Sequence, residues 1–172
     1  MSSPLDDFLC RAAAAAAAAG HIFPEYAACE AALESSWGQS KLALAARNLF
    51  GQKQSQPPIA GAGTLSLPTR EFLHGAWVTV TANWVNFPDW NSCFAARMQL
   101  LRVASGRYPH YAAALAATSG EEFVREVSQT WSTDPARADK VLCIYQAHRG
   151  CFVAPAPIPA PAPTPQATST GS

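Results

Sequence analysis

A glutamate in an alanine-rich stretch is the residue of this 172-residue chain best suited to acid–base chemistry. Glu34 lies among apolar neighbours on a predicted helix, and Trp37 follows three positions later. Side chains three positions apart on a helix are neighbours, so the carboxyl group is expected to lie against an indole ring. Partial exclusion of water disfavours a carboxylate and keeps such an acid protonated nearer neutral pH. Glu34 is therefore a candidate general acid, although a solvated glutamate on an amphipathic helix has the same local pattern.

The other titratable residues form no metal-binding pattern. Glu30 precedes Glu34 by one turn and is expected to be solvated or paired with an arginine. The four histidines are scattered without HExxH spacing, and the five cysteines show no CxxC pair, so neither a metal nor a cofactor is expected. The cysteines are expected to be buried thiols, with one disulfide between Cys143 and Cys151 as the alternative.

Several short motifs follow one another over roughly residues 8 to 148. They are AALESSWGQS at 31–40, NLFG at 48–51, TRE at 69–71, WVNF at 84–87, WNSCF at 90–94, RY at 107–108, STDP at 132–135 and ADKV at 138–141. In this order and spacing they resemble the bacterial endo-β-N-acetylglucosaminidases, a family that includes flagellar peptidoglycan hydrolases and many autolysins. The resemblance implies a lysozyme-like fold and hydrolysis of the glycosidic bond that follows N-acetylglucosamine in peptidoglycan.

The resemblance also implies roles for two carboxyl groups. Glu34 matches the family's general acid. Glu71 matches an acidic residue of the β lobe, which activates water or stabilises positive charge at the sugar. Glycoside hydrolysis usually needs two carboxyl groups flanking the scissile bond, and a mobile β lobe would bring Glu71 in on closure. The alternative for Glu71 is an exposed hairpin position without a catalytic role.

Aromatic side chains are the main candidates for sugar binding, because their flat apolar faces suit the C–H faces of pyranose rings. Trp131 and Tyr108 are expected in the groove, and Phe50 partly in the core. Trp131 stands where the family commonly has tyrosine and lacks a phenolic hydroxyl, and Arg137 stands where an aromatic residue is common. The full set of expected substrate-binding residues is Trp37, Asn48, Phe50, Trp90, Tyr108 and Trp131.

A mainly helical body with one β hairpin must position these residues. Residues 69–87 are rich in β-forming residues and interrupted by His74-Gly75-Ala76, which predicts a hairpin. Helices on both sides of a hairpin indicate an α+β fold, which the resemblance makes lysozyme-like. The helices are predicted at about 6–20, 24–37, 41–47, 91–105, 110–117, 120–129 and 135–147.

The domain is expected to span residues 1–152, with a β lobe at about 55–88. The Pro/Ala-rich residues 153–172 are expected to form a disordered tail or linker.

Charge and hydropathy exclude several classes of partner. Twelve basic and twelve acidic side chains balance, so the chain has no general attraction to nucleic acid or anionic membranes. Its longest apolar run, Ala12–Ala19, is too short for a membrane span, and acidic residues precede it where a signal peptide would be basic. The expected protein is a monomer that acts on peptidoglycan glycan strands in the periplasm or outside the cell. Delivery is expected by phage lysis, by specialised export or as part of a longer chain.

Two other functions are compatible with the motifs. Trp131 in place of tyrosine allows a non-catalytic module that binds peptidoglycan without cleaving it. A lytic transglycosylase would have a related fold, add no water and leave a 1,6-anhydro sugar end.

Overall fold

The fold combines α-helices with one two-stranded antiparallel sheet, which confirms the α+β class expected from the sequence. The computed structural model describes residues 3–152, without the side chains of Glu71, Phe72 and Leu73; the expected tail at 153–172 lies outside this range. The elements in chain order are α1 (Pro4–Ala18), α2 (Pro24–Ser35), α3 (Lys41–Ala46), β1 (Gly63–Leu73), β2 (Ala76–Asn86), α4 (Trp90–Ala104), α5 (Pro109–Leu115), α6 (Gly120–Trp131) and α7 (Arg137–His148), followed by a 3₁₀ helix, Arg149–Phe152.

The centre of the helical body is α2, which packs against α1, α6 and α7. The facing positions are mostly alanine: Ala12 and Ala16 of α1 and Ala28 and Ala31 of α2 have no exposed surface. Small side chains let two helices approach closely, and alanine has the highest helix propensity. The body is therefore built around a helix whose few polar side chains must find partners inside the protein.

Helix α1 begins at a complete N-terminal cap. The Ser3 hydroxyl accepts a hydrogen bond from the Asp6 amide at 3.1 Å, and the Asp6 carboxylate accepts one from the Ser3 amide at 3.3 Å. This capping box satisfies two amides that a helix leaves without partners.

Helix α2 ends at Ser35, two residues earlier than expected. Ser36, Trp37 and Gly38 all have positive φ angles, of 51°, 58° and 76°. A Cβ atom at position 38 would lie 2.9 Å from the Phe8 ring, so this turn requires glycine. The left-handed turn changes the chain direction immediately after the residues that carry Glu34.

The hairpin is longer than expected, because β1 begins at Gly63 rather than at residue 69. Its two-residue turn, His74-Gly75, has φ angles of 51° and 81°, as the tight turns of hairpins require. At the base of the hairpin Val85 is fully buried, whereas Trp77 near the tip is 62% exposed. The sheet thus packs on the helical body at its base and extends away from it.

Helix α7 begins at Arg137, two residues after the expected start at Pro135. The N-cap residue is Ala136 and makes no side-chain cap bond. Asp134 accepts a hydrogen bond from the Ala136 amide at 2.9 Å and pairs with Lys140 at 2.6 Å. It therefore shapes the turn before the helix. None of the helices within residues 3–152 is long and apolar enough to cross a membrane.

Candidate active site

The carboxylate of Glu34, in the last turn of α2, is held by an arginine from α7. Arg137 Nε donates a hydrogen bond to Glu34 Oε1 at 2.8 Å. The Glu34 side chain is 26% exposed, whereas that of Arg137 is 2% exposed. Within residues 3–152, Glu34 Oε2 accepts no hydrogen bond. Glu34 therefore lies at the edge of the buried network, in an ion pair that is partly open to solvent; the sequence had predicted an indole ring beside it and not this arginine.

The same arginine reaches a second, fully buried carboxylate. Arg137 Nη2 donates to Glu30 Oε1 at 3.0 Å, and Arg97 Nη2 from α4 donates to both Glu30 oxygens at 3.0 and 3.1 Å. Burial alone would raise the pKa of Glu30, but the guanidinium groups of Arg97 and Arg137 outweigh it and hold that pKa below its ordinary 4.5. Of the two expectations for Glu30, pairing with an arginine is confirmed.

Aromatic rings cover the buried end of this network. The Arg97 guanidinium carbon lies 4.0 Å from the centre of the Trp131 ring and 4.4 Å from that of Phe50. Arg97 Nε and Nη1 are buried without a hydrogen-bond acceptor in the described structure. The π faces of the two rings stabilise the cation in place of such acceptors. The result is a continuous chain of contacts from Trp131 through Arg97, Glu30 and Arg137 to Glu34.

A groove of about 980 Å³ adjoins this chain of contacts. The segment 50–62 lines one side of it and α4 the other, and Trp131 contributes to its wall. Its lining is mainly apolar, with polar groups at Gln52, Lys53, Gln99 and Arg102. Glu34 is not a lining residue; Trp131 and Phe50 connect the groove to the network that holds it. A few polar groups on an apolar wall suit a ligand with alternating apolar faces and polar edges, such as a sugar chain.

Trp37 and Trp90 do not lie where the sequence placed them. Because α2 ends before Trp37, the expected helical i, i+3 contact with Glu34 is not formed. Both indole rings pack instead around Phe8 of α1, with centroid distances of 6.2 and 5.2 Å. The contacts of these two residues assign them to the packing of α1 and not to the groove.

Asn48, another expected substrate-binding residue, is 1% exposed and bonds to the backbone. Its Nδ2 donates to Gln52 O at 2.8 Å and to Val85 O at 3.0 Å, and its Oδ1 accepts from the Gln52 amide at 2.9 Å. These bonds fasten the segment after α3 to the base of β2. Asn48 therefore positions one wall of the groove from behind.

Phe50 and Trp131 line the groove, and Tyr108 does not. Phe50 is 5% exposed, in agreement with its expected place partly in the core, and Trp131 is half-buried. Tyr108 precedes α5, is 38% exposed and lies beside Tyr111 and Arg107. Tyr108 is therefore outside this groove, and its role in substrate binding stays a prediction.

The second predicted carboxylate, Glu71, is on β1, paired with Val78 two residues from the turn. Its side chain lies outside the described part of the structure. Its catalytic role stays a prediction.

The residues that sequence reasoning missed are the arginines. Arg97 lies in the apolar run CFAARM and Glu30 in ACEAAL, so two opposite charges are placed where helices are buried. A buried charge is stable only when it is paired with an opposite charge. The burial expected for both segments could therefore have predicted an ion pair between Glu30 and Arg97. Among the described residues, no three His, Cys, Asp or Glu side chains are grouped so as to hold a metal ion.

Comparisons with known proteins give the family and the fold of this chain. A family model described as mannosyl-glycoprotein endo-beta-N-acetylglucosaminidase matches residues 10–150. A probable N-acetylmuramidase of Lactococcus lactis subsp. cremoris (strain MG1363) is 30% identical over 122 residues, which cover 69% of this chain and 27% of that protein. The exo-glucosaminidase LytG of Bacillus subtilis (strain 168) is 28% identical over 130 residues, which cover 74% of this chain and 45% of LytG. The chain thus spans about a quarter to a half of the length of these relatives.

Structural comparison gives the fold. The catalytic domain of the autolysin Auto from Listeria monocytogenes matches with a TM-score of 0.74 and 21% identity, covering 88% of each chain. The helical body with a small antiparallel sheet is therefore lysozyme-like.

Proposed function

The chain belongs to the glucosaminidase family, as its motifs indicated, and from this membership we propose that it hydrolyses peptidoglycan, with Glu34 as the general acid. The observation that carries the proposal is the state of the Glu34 carboxyl group. One oxygen is held by Arg137 at 2.8 Å, and the side chain is 26% exposed next to a network that reaches the groove. An acid must be both fixed in direction and open to its substrate, and this carboxyl group is both.

The proposed substrate is the glycan strand, bound along the groove between segment 50–62 and α4. Trp131 offers an aromatic face to a sugar ring, and Gln52 and Gln99 offer amide groups to N-acetyl and hydroxyl groups. The lining is mainly apolar and its charged groups are the cations of Lys53 and Arg102, so acidic groups on the glycan strand are also compatible with it. The chain as a whole has zero net charge and no general attraction to polyanions.

In the proposed reaction, protonated Glu34 gives its proton to the glycosidic oxygen as the bond to the sugar breaks. Positive charge then develops on the sugar ring, and a water molecule adds to it. Glu71 is our candidate for the group that activates this water or stabilises the charge. Glu71 is on the hairpin, which packs on the helical body only at its base. Movement of the hairpin would therefore bring Glu71 towards the bound glycan strand.

Within this reaction we propose the bond after N-acetylglucosamine as the one cleaved. The relatives carry names of both kinds, an N-acetylmuramidase and an exo-glucosaminidase, so cleavage after N-acetylmuramic acid is the second candidate. The proposed place of action is the cell wall, and the proposed active species is a monomer.

The test is digestion of purified peptidoglycan, with reduction of the products by borohydride and mass spectrometry. Reduced N-acetylglucosamine at the new ends supports the proposed bond, and reduced N-acetylmuramic acid supports the second candidate. A 1,6-anhydro end would identify a lytic transglycosylase, and strand binding without new ends a non-catalytic module. Glu34→Gln should fold as the wild type and lose at least about 100-fold in rate. Glu121→Gln, at a position 58% exposed on α6, is the matched control. A wild-type rate in Glu34→Gln would refute the role of Glu34.

A further inference from the structure

The geometry points to Arg137 as the residue that positions Glu34 for proton transfer; this inference rests on the function proposed above. Arg137 does not need to touch the substrate to act. Its effect passes through the Glu34 carboxyl group.

All three nitrogen atoms of the Arg137 guanidinium have acceptors, two of them on α2 and one on α6. Nε donates to Glu34 at 2.8 Å, Nη1 to Ser128 Oγ on α6 at 2.8 Å, and Nη2 to Glu30 at 3.0 Å. Since the guanidinium is planar, the bonds of Nη1 and Nη2 fix the direction in which Nε–H points. Glu30 is itself held by two hydrogen bonds from Arg97 of α4, so α4 also helps to fix the position of the Arg137 guanidinium. Glu34 Oε1 is therefore held by a rigid donor.

This arrangement distinguishes the two oxygens of Glu34. Oε1 accepts the Arg137 bond, and Oε2 accepts no hydrogen bond within residues 3–152. A proton on Oε1 would face the Nε–H donor, so the catalytic proton is carried by Oε2. Glu34 then donates from one defined atom, and the substrate meets it in one orientation.

The charge of Arg137 also acts in the transition state. As the proton leaves, negative charge develops on the Glu34 carboxyl group. A fixed cation 2.8 Å away stabilises that charge without reorganisation. The protonated ground state gains less from the same cation, so the interaction favours the transition state.

The experiment compares kcat and KM on purified peptidoglycan for Arg137→Met, Arg137→Lys and Arg137→Ala. We expect kcat to fall about 100-fold with KM changed less than about threefold, because the carboxyl group loses its orientation while the groove is unchanged. Lysine should restore less than about a tenth of the loss, since one ammonium cannot serve three acceptors in a plane. Guanidinium ions should restore part of the activity of Arg137→Ala, and methylammonium ions should not. Arg125→Ala, which removes an exposed pair with Glu121 on α6, is the control in the same salts.

Circular dichroism and thermal unfolding identify the variants that fold. If the uncharged variants Arg137→Met and Arg137→Ala do not fold, the test uses Arg137→Lys, which keeps a buried cation. A folded Arg137→Lys or Arg137→Met with kcat within about twofold of the wild type would overturn the positioning role. A wild-type rate in Glu34→Gln instead refutes the proposed role of Glu34. A wild type that does not cleave peptidoglycan refutes both the proposed function and the positioning role of Arg137.

A different observation carries a second inference: we infer that Cys10 and Cys151 are the pair that forms a disulfide. Cys10 Sγ of α1 donates to the Cys151 carbonyl oxygen at 3.2 Å, across 141 residues of chain. This contact places the Cys10 thiol beside the Cys151 backbone. His148 and Asp6, at 2.7 Å, hold the same two ends of the fold together.

The structure thus favours a different partner from the one expected, because Cys10 contacts Cys151, whereas Cys143 makes no hydrogen bond to Cys151 within the described residues. Burial as a free thiol is confirmed for Cys29 and Cys93 but not for the exposed Cys10 and Cys143. The reaction removes two protons and two electrons from Cys10 and Cys151. A small disulfide such as oxidised glutathione accepts them and becomes two thiols. The exposed Cys10 forms the mixed disulfide first, and Cys151 displaces the second glutathione.

The test is incubation of the full chain with oxidised or reduced glutathione, followed by tryptic digestion without reductant and mass spectrometry. We expect a cross-linked peptide pair that contains Cys10 and Cys151. The oxidised protein should also have a higher Tm, because closing a long loop restricts the unfolded chain. Cys10→Ser should abolish both effects, and Cys143→Ser, the matched control, should keep them. Free thiols at 10 and 151 after oxidation, or a Cys143–Cys151 peptide, would overturn the pairing.

Discussion

Replacement of Glu30 by glutamine tests the network that holds the candidate acid. Glu30 has no exposed surface, and Arg97 and Arg137 each bond to it at 3.0 Å. Glutamine has nearly the same shape, but it removes the negative charge and turns an NH₂ group towards one of the guanidinium groups. Removing one partner of a buried ion pair costs about 3 to 5 kcal/mol, because the remaining charge is left buried and uncompensated. For a domain of this size, the loss corresponds to a fall in Tm on the order of 6 to 20 °C.

The measurement is urea and thermal unfolding of Glu30→Gln beside Glu121→Gln. Glu121 pairs with Arg125 at 3.0 Å in an exposed position, so its loss should cost less than about 1 kcal/mol. The pKa of Glu30 is lowered in the folded protein, so its stabilising contribution is complete above the ordinary value of 4.5. It is lost as the pH falls from 4.5 through the lower folded pKa, and the difference between wild type and Glu30→Gln should shrink in that window. Equal losses in the two variants at neutral pH would refute the reasoning, since the buried guanidinium groups would then not depend on Glu30.

Three further outcomes follow from individual contacts. Asn48→Ala should lower the free energy of unfolding by about 1 to 3 kcal/mol in urea denaturation, because three backbone groups lose their bonds; no loss would contradict its role as an anchor. Gly120→Ala should lower the Tm, although helix propensity alone predicts stabilisation, because the new Cβ would lie 2.1 Å from the Tyr26 ring; a raised Tm would contradict this. Burial, and then the charge of Arg97, lower the pKa of His21 from 6.5 to about 4. As the pH falls, the unfolded chain therefore binds a proton at His21 before the folded protein does. The wild type should lose roughly 3 kcal/mol between pH 6.5 and 4, and His21→Phe should remove this part of the pH dependence; an unchanged slope would count against it.

Local sequence signals were sufficient for most of the secondary structure. The caps and prolines predicted the helix starts to within two residues, and His74-Gly75 predicted the turn of the hairpin. The end of α2 was missed because Ser36 and Trp37 adopt positive φ angles, which these residue types rarely do. That single error moved Trp37 away from Glu34, since an i, i+3 contact exists only while the helix continues.

The candidate site was harder to predict than the fold, because its contacts join distant parts of the chain. Glu34 and Arg137 are 103 positions apart, and Glu30 and Arg97 are 67 apart. No local pattern reports such a pairing. The motifs made Glu34 the expected acid, but Arg137 was expected to depart from them, so the resemblance could not supply its role either.

The two departures from the family pattern are joined in space. Trp131 places an indole ring 4.0 Å from the Arg97 guanidinium, and Arg137 provides the cation that reaches Glu34. Arg97 and Arg137 meet at Glu30, which alone could balance only one of them. Glu34 is the second carboxyl group of the network and accepts a hydrogen bond from Arg137. Two NH-bearing nitrogen atoms of Arg97 are buried without a hydrogen-bond acceptor among the described residues. Without the indole ring, the guanidinium would also lose one of the two aromatic faces that stabilise its charge. Tryptophan at 131 therefore makes it easier to bury the arginine on which Glu30 depends, and Glu30 in turn fixes Arg137.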